Sequence, residues 1–204
     1  ILEGDFVSVC VDPSFQPGGD PWGITMVAVD MKGDWHIQVA KQDSTGMDGW
    51  MWELLELRQK FARVHALGVE AGGGQGGVEY ILNDWMRRHG VSFPRIQYLK
   101  HSRLQGRKSM RISQLTNIVN SGRLSLEPGM HQMLRGLQSY RSGVERQDDH
   151  LLDSLAMHLE VQMARTPGET KMPTPDELRH RRFTAIRAII DKGKRPAIKS
   201  HRYL

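Results

Sequence analysis

Three short β-type stretches open the chain. Residues 6–12 (FVSVCVD), 22–30 (WGITMVAVD) and 35–42 (WHIQVAKQ) are rich in β-branched residues or alternate apolar with polar ones. The segments between them, PSFQPGGDP and MKGD, are typical of loops and turns. Strands joined in this way pair with their neighbours in sequence. The start of the chain therefore predicts a three-stranded antiparallel meander.

The pattern then changes to helices that alternate with short apolar runs. Helices are predicted at 48–66, 76–90, 107–122, 129–141 and 148–165, and strands at 65–73, 95–101 and 123–128. Strands that alternate with helices form parallel pairs, and the helices cover both faces of the sheet. The predicted fold class is α/β, with a mixed sheet of three antiparallel strands and further strands that alternate with helices, covered on both faces.

Composition divides the chain into a body and a tail. Of its 204 residues, 39% are apolar, which matches one globular domain over residues 1–165. Residues 165–204 carry 11 Lys and Arg against 4 Asp and Glu, and the remainder carries 17 against 19. Residues 166–204 are thus predicted as a basic tail with one possible helix at 174–193. Such a tail either binds a nucleic acid or another acidic partner, or is simply solvated.

The remaining bulk features concern the setting of the protein. Cys10 is the single cysteine and lies in an apolar run, so it is predicted to pack in the core of an intracellular protein. No run of apolar residues reaches the length of a membrane span. The sequence begins with ILEGD and not with Met, which suggests a piece cut from a longer protein.

Acidic residues stand at three separated points where predicted elements begin or end. Asp12 closes the first strand, and Glu70 closes a later strand before a glycine-rich exit. Asp149, His150 and Asp153 stand at the start of the last core helix, where residues three or four apart face the same way. The exposed ends of strands in an α/β sheet are where ligands bind. These acids are therefore candidates for one common site.

Several carboxylates brought together repel one another unless cations neutralise them, and oxygen ligands suit Mg²⁺ or Mn²⁺. Two such ions can cleave a phosphodiester, with a histidine as a further ligand or as a group that orients water. Each residue alone has a simpler explanation: Asp149 caps the helix, Asp12 starts a turn and Glu70 lies on the surface. Asp153 is harder to explain in this way, because it sits among leucines on a half-buried helix.

The order of these acids resembles that of the RNase H-like nuclease superfamily. Within it, four segments, VDPSFQPGGDPWGITMVAVDMKGDWHI, LGVEAGGGQGG, KSMRISQLTNIVNSGRL and DDHLLDSLA, together resemble the C-terminal nuclease domain of the terminase large subunit of tailed bacteriophages. The resemblance covers about residues 5–164. It implies a catalytic, metal-binding set that corresponds to Asp12, Glu70, Asp149 and Asp153, with His150 as a further catalytic residue. Which of Asp149, His150 and Asp153 contacts the metal directly stays open.

The same resemblance implies a function and a set of partners. The expected activity is divalent-metal-dependent cleavage of concatemeric viral DNA during genome packaging, with two Mg²⁺ or Mn²⁺ ions and low sequence preference. The expected partners are double-stranded DNA, an ATPase motor domain of the same full-length chain, the terminase small subunit and the portal, in the host cytoplasm. No phosphate-binding GxxxxGK[ST] motif occurs in this sequence, so the motor half lies elsewhere.

Basic residues between a predicted strand and a predicted helix are candidates for contact with DNA. The cluster could follow a phosphate backbone without reading sequence, or it could be a solvated basic loop. The cluster consists of Lys100, Arg103, Arg107, Lys108 and Arg111.

Two other functions compete with the terminase prediction. One is a Holliday-junction resolvase or a transposase-like nuclease of the same superfamily, which would prefer branched DNA. The other is a module that docks DNA or the portal through the basic tail and has little cleavage activity of its own.

Overall fold

The computed structural model describes residues 5–71, 77–99, 106–141, 144 and 149–163, and the side chains of residues 106–109 are outside this description. The strands are β1 (Phe6–Asp12), β2 (Trp22–Val29), β3 (Trp35–Asp43), β4 (Ala66–Glu70), β5 (Ile96–Leu99) and β6 (Leu124–Leu126). The helices are α1 (Gly46–Lys60), α2 (Val78–His89), α3 (Gly106–Asn120), α4 (His131–Ser139) and α5 (His150–Met163).

One mixed sheet of six strands organises the fold, in the order β5-β4-β1-β2-β3-β6. β1, β2 and β3 pair antiparallel, as the meander predicts. β4 joins β1 in parallel, β5 joins β4 in parallel, and β6 joins the far side of β3 in parallel. β1 is therefore a central strand, and its carboxyl end lies at the same edge of the sheet as that of β4.

Two layers of helices cover the two faces of the sheet. On one face, Val7, Val9 and Val11 of β1 pack in a core with residues of α1 and α2. On the other face, α3, α4 and α5 pack over β2 and β3, and Cys10 packs against α5. Because side chains alternate along a strand, neighbouring residues of β1 serve different cores. The predicted α/β class, with helices on both faces, is confirmed.

The predicted first helix is too long at its carboxyl end. α1 ends at Lys60, and the backbone of Phe61 is extended. The side chain of Arg58 donates to the carbonyl oxygens of Phe61 and Ala62, so this turn of backbone is satisfied without further helix. The prediction, made from apolar spacing alone, continued the helix to residue 66. Such spacing does not show where a side chain replaces backbone hydrogen bonds.

The described elements up to Gln162 form one compact unit. The predicted tail at residues 166–204 lies outside the described residues, so its boundary and its helix stay predictions. In the part of the chain that the structure describes, no helix has the length and apolarity needed to cross a membrane.

Candidate metal centre

Two acids reach the same edge of the sheet because they end two neighbouring parallel strands. Asp12 is the last residue of β1 and Glu70 the last residue of β4, and the two strands are hydrogen-bonded side by side. Asp12 is 8% exposed and Glu70 is partly buried. The carboxyl ends of parallel strands are the usual binding edge of an α/β sheet. The fold thus brings the two sequence-predicted strand-end acids together.

α5 brings the third acid to this edge, and a glycine allows its close approach. Gly23 of β2 pairs with Asp12, and a Cβ atom at Gly23 would lie 2.5 Å from the backbone oxygen of His150. At the other end of the helix, a Cβ atom at Gly68 of β4 would lie 2.7 Å from Cγ2 of Val161. Helix and sheet therefore approach closely at both strand positions, and at Gly23, where the opposing atoms are backbone, only glycine permits this distance.

A buried polar network fixes the rotation of α5 on the sheet. Ser154 donates to the carbonyl oxygen of Cys10 at 2.7 Å and lies 2.8 Å from the hydroxyl of Thr25. His158 bridges Thr25 at 3.0 Å and Ser8 at 2.7 Å through its two ring nitrogens. Burial lowers the pKa of His158 to about 3, so the ring is neutral and suited to hydrogen bonding. The network determines which side of α5 faces the sheet, and hence where the residue before Ser154 points.

Asp12, Glu70 and Asp153 converge in the resulting site. One carboxylate oxygen of each lies within 4.8 Å of those of the others, and Asp153 is 1% exposed. Burial, followed by the charges of Asp12 and Asp153, raises the pKa of Glu70 to about 8. Ionisation of all three acids is therefore unfavourable when no cation is bound. A hard divalent cation would relieve this repulsion, and carboxylate oxygens are its preferred ligands, so the donor set fits Mg²⁺ or Mn²⁺.

His150 and Arg111 contact two of the three acids directly. Nδ1 of His150 lies 3.0 Å from Oδ2 of Asp12. Arg111 of α3 donates from Nη2 to Oδ1 of Asp153, and its Nη1 lies 3.7 Å from Oε1 of Glu160. Both partners come from elements that cover one face of the sheet, so that face carries the chemistry of the site.

Asp149 takes a different place from the other predicted ligands. It directly precedes α5, and its backbone oxygen accepts the N–H of Asp153 at 2.8 Å. Among the described residues, the converging group of ligand atoms comprises Asp12, Glu70 and Asp153 and does not include Asp149. The structure thus places Asp149 directly before the helix, and its role as a metal ligand stays a prediction.

The predicted DNA-binding cluster is only partly visible. Lys100 and Arg103 lie outside the described residues, and so do the side chains of Arg107 and Lys108 on α3. Arg111 differs from the prediction of a DNA-contacting surface, because it is 6% exposed and paired with Asp153. Its guanidinium would have to leave a buried ion pair to reach a phosphate. Contact between this cluster and DNA stays a prediction.

Sequence reasoning missed the residues that position the site. Gly23, Thr25, Ser154 and His158 lie in segments that otherwise read as ordinary strand and helix. One signal was present: Ser154 and His158 are polar residues four apart on a helix whose other residues are mostly apolar, which indicates a shared buried partner. For Gly23, only the packing of α5 reveals its use.

Comparisons with solved structures find this fold in viral terminase nucleases. The human cytomegalovirus terminase nuclease domain, manganese-soaked and inhibitor-bound, is similar with a TM-score of 0.57 and 12% identity, over 79% of this chain and 86% of that chain. The large terminase nuclease from the thermophilic phage G20c has a TM-score of 0.52 and 14% identity, over 76% and 84%. These likenesses show that the chain has the RNase H-like fold.

A more distant likeness is to Thermus thermophilus RuvC in complex with a Holliday junction, with a TM-score of 0.43 and 17% identity over 78% of this chain and 96% of that chain. No family model matches the sequence, and no curated protein matches it.

Proposed function

We propose that this chain is a divalent-metal-dependent DNA endonuclease. The observation that carries the proposal is the convergence of three carboxylates within 4.8 Å at the edge of an RNase H-like sheet. Asp12 and Asp153 are largely buried, and Glu70 has a pKa of about 8. Carboxylates that repel one another and have shifted pKa values are typical of functional sites, including those that bind a cation.

Asp12, Glu70 and Asp153 would hold the metal, in the proposed form two Mg²⁺ or Mn²⁺ ions. Bound divalent ions lower the pKa of water and stabilise the developing charge on phosphate oxygens. His150, 3.0 Å from Asp12, would orient Asp12. From the same position it would orient a water molecule or transfer a proton in the reaction. The buried Ser154 network would keep Asp153 in place while substrate binds.

The biological role that we propose is cleavage of concatemeric viral DNA by a terminase large subunit of a tailed bacteriophage. Two observations support it: the four sequence segments that resemble this family, and a fold shared with two viral terminase nucleases. In that role the partners would be double-stranded DNA, the ATPase motor domain of the same full-length chain, the small subunit and the portal. The site of action would be the host cytoplasm. Asp149 would contribute to metal binding, and the cluster residues other than Arg111 would contribute to DNA binding.

The test is nicking of supercoiled plasmid in the presence of Mg²⁺ or Mn²⁺. Asp12→Asn should remove nicking, because the variant loses a charged ligand but keeps an oxygen that can accept from His150. It should not lower the melting temperature measured in EDTA, since it removes a largely buried negative charge that lies beside those of the other acids. Asp84→Asn is the matched control, because Asp84 pairs with Arg87 and Arg88 on the surface of α2. That variant should nick at the wild-type rate.

Other outcomes would replace the proposal. Full activity of Asp12→Asn would exclude the three acids as the catalytic centre. Strong preference for four-way junctions over linear duplex would favour a resolvase. If deletion of residues 165–204 removed DNA binding while metal addition changed neither binding nor cleavage, the chain would be a docking module.

A further inference from the structure

Arg111 is a cation that the chain itself places at the three acids. Its side chain is 7% exposed, and it donates directly to Oδ1 of Asp153. Its charge also acts on Glu70, where it opposes the rise in pKa that burial and the other acids produce. The guanidinium therefore contributes to the charge balance of the whole carboxylate group and not only to one ion pair.

The position of this guanidinium is fixed by packing. Arg111 is followed on α3 by Ile112 and Leu115, both buried in the core that also contains Leu152 and Leu155 of α5. The two helices thus share a hydrophobic core next to the ion pair. Arginine is also always charged in proteins, so this cation cannot be lost by a change of pH.

A charge count of the buried groups shows what the site can accept. Asp12, Glu70 and Asp153 carry three negative charges when ionised, and Arg111 carries one positive charge. One divalent ion brings these four groups to neutrality. Glu160, 3.7 Å from Nη1 of Arg111, is left out of the count because its side chain is 43% exposed and solvent screens its charge. A second ion would leave two uncompensated positive charges in a largely buried site, which is costly. Asp153 has only two oxygens, and Nη2 of Arg111 already contacts one of them.

We propose that Arg111 holds the place of a second divalent cation, so that the protein without DNA binds one ion. This inference rests on the metal-dependent function proposed above. A second ion would enter only where further negative charge, such as that of DNA phosphates, is supplied or where the positive charge of Arg111 is removed. The two-ion form proposed for cleavage would then be assembled only on DNA.

The experiment is calorimetric titration of the DNA-free chain with Mn²⁺. The wild type should bind one ion. Arg111→Gln keeps a hydrogen-bond donor for Asp153 but no charge, and it should bind a second ion at least about tenfold more tightly than the wild type does. Arg111→Lys keeps the charge and should bind one ion. Arg123→Gln is the control, since Arg123 is 46% exposed and pairs with Asp34; it should also bind one ion.

The outcomes separate this inference from the proposed function. Two ions of comparable affinity in the DNA-free wild type would overturn the inference, and this measurement needs no variant to fold. A folded Arg111→Gln variant, checked by circular dichroism, that binds Mn²⁺ as the wild type does would also overturn it and leave the nuclease proposal standing. A wild type that binds no Mn²⁺ at all would overturn both.

Discussion

The Glu70 carboxyl leads us to predict that metal binding depends steeply on pH. Burial and the neighbouring charges of Asp12 and Asp153 raise the pKa of Glu70 from 4.5 to about 8. Glu70 therefore holds a proton at neutral pH in the metal-free protein. A divalent cation binds the ionised carboxylate, so binding must release this proton.

The size of the effect follows from the pKa. With a pKa of about 8, roughly one Glu70 in ten is ionised at about pH 7 and roughly one in a hundred at about pH 6. The apparent Kd for Mg²⁺ should fall about tenfold for each pH unit between these values and about pH 8, and should become constant above that. The total change of about a hundredfold corresponds to about 2.7 kcal/mol of binding free energy.

Isothermal titration calorimetry in buffers of different ionisation enthalpy measures both the Kd and the number of protons released. The wild type should release close to one proton at about pH 7. Glu70→Gln should bind Mg²⁺ more weakly and lose this proton release. His150→Gln removes the titratable side chain that contacts Asp12 and should keep it. A Kd that is constant from about pH 6 to about pH 8, or equal proton release from Glu70→Gln, would refute the reasoning.

Two further predictions follow from the same geometry. In EDTA, Glu70 of the folded protein keeps a proton that the unfolded chain loses above about pH 4.5. The free energy of unfolding, measured by urea denaturation, should therefore fall as the pH rises towards about 8. Saturating Mg²⁺ should oppose this fall. Gly23→Ala places a methyl group against the backbone of His150 and should lower the unfolding free energy by about 1–3 kcal/mol and weaken Mg²⁺ binding, whereas unchanged values of both would contradict the close packing of α5.

The predicted site depended on where acids stand relative to local elements. Asp12 and Glu70 follow apolar runs that read as strands in any context, so their position at strand ends was predictable. The choice between Asp149 and Asp153 was not. Both stand near the start of the same helix, and their difference arises from the rotation of α5, which Ser154 and His158 fix through contacts with distant strands.

Arg111 shows the same limit more clearly. In sequence it belongs to a run of basic residues that suggests a DNA-contacting surface. In the fold it is buried against Asp153, which is 42 positions away along the chain. Charge pattern identifies a basic residue but does not identify its partner, because the partner is chosen by how two helices pack.

The sequence by itself determined the succession of strands and helices along the chain and the position of two acids at strand ends. Both depend on periodicity over a few neighbouring residues. Only the tertiary structure decided the spatial order of the strands in the sheet, the convergence of Asp12, Glu70 and Asp153, and the burial of Arg111 beside them. The physical reason is that these features depend on contacts between residues far apart in the chain. Such contacts are set by complementary packing, for example of α5 over Gly23, and local patterns do not encode them.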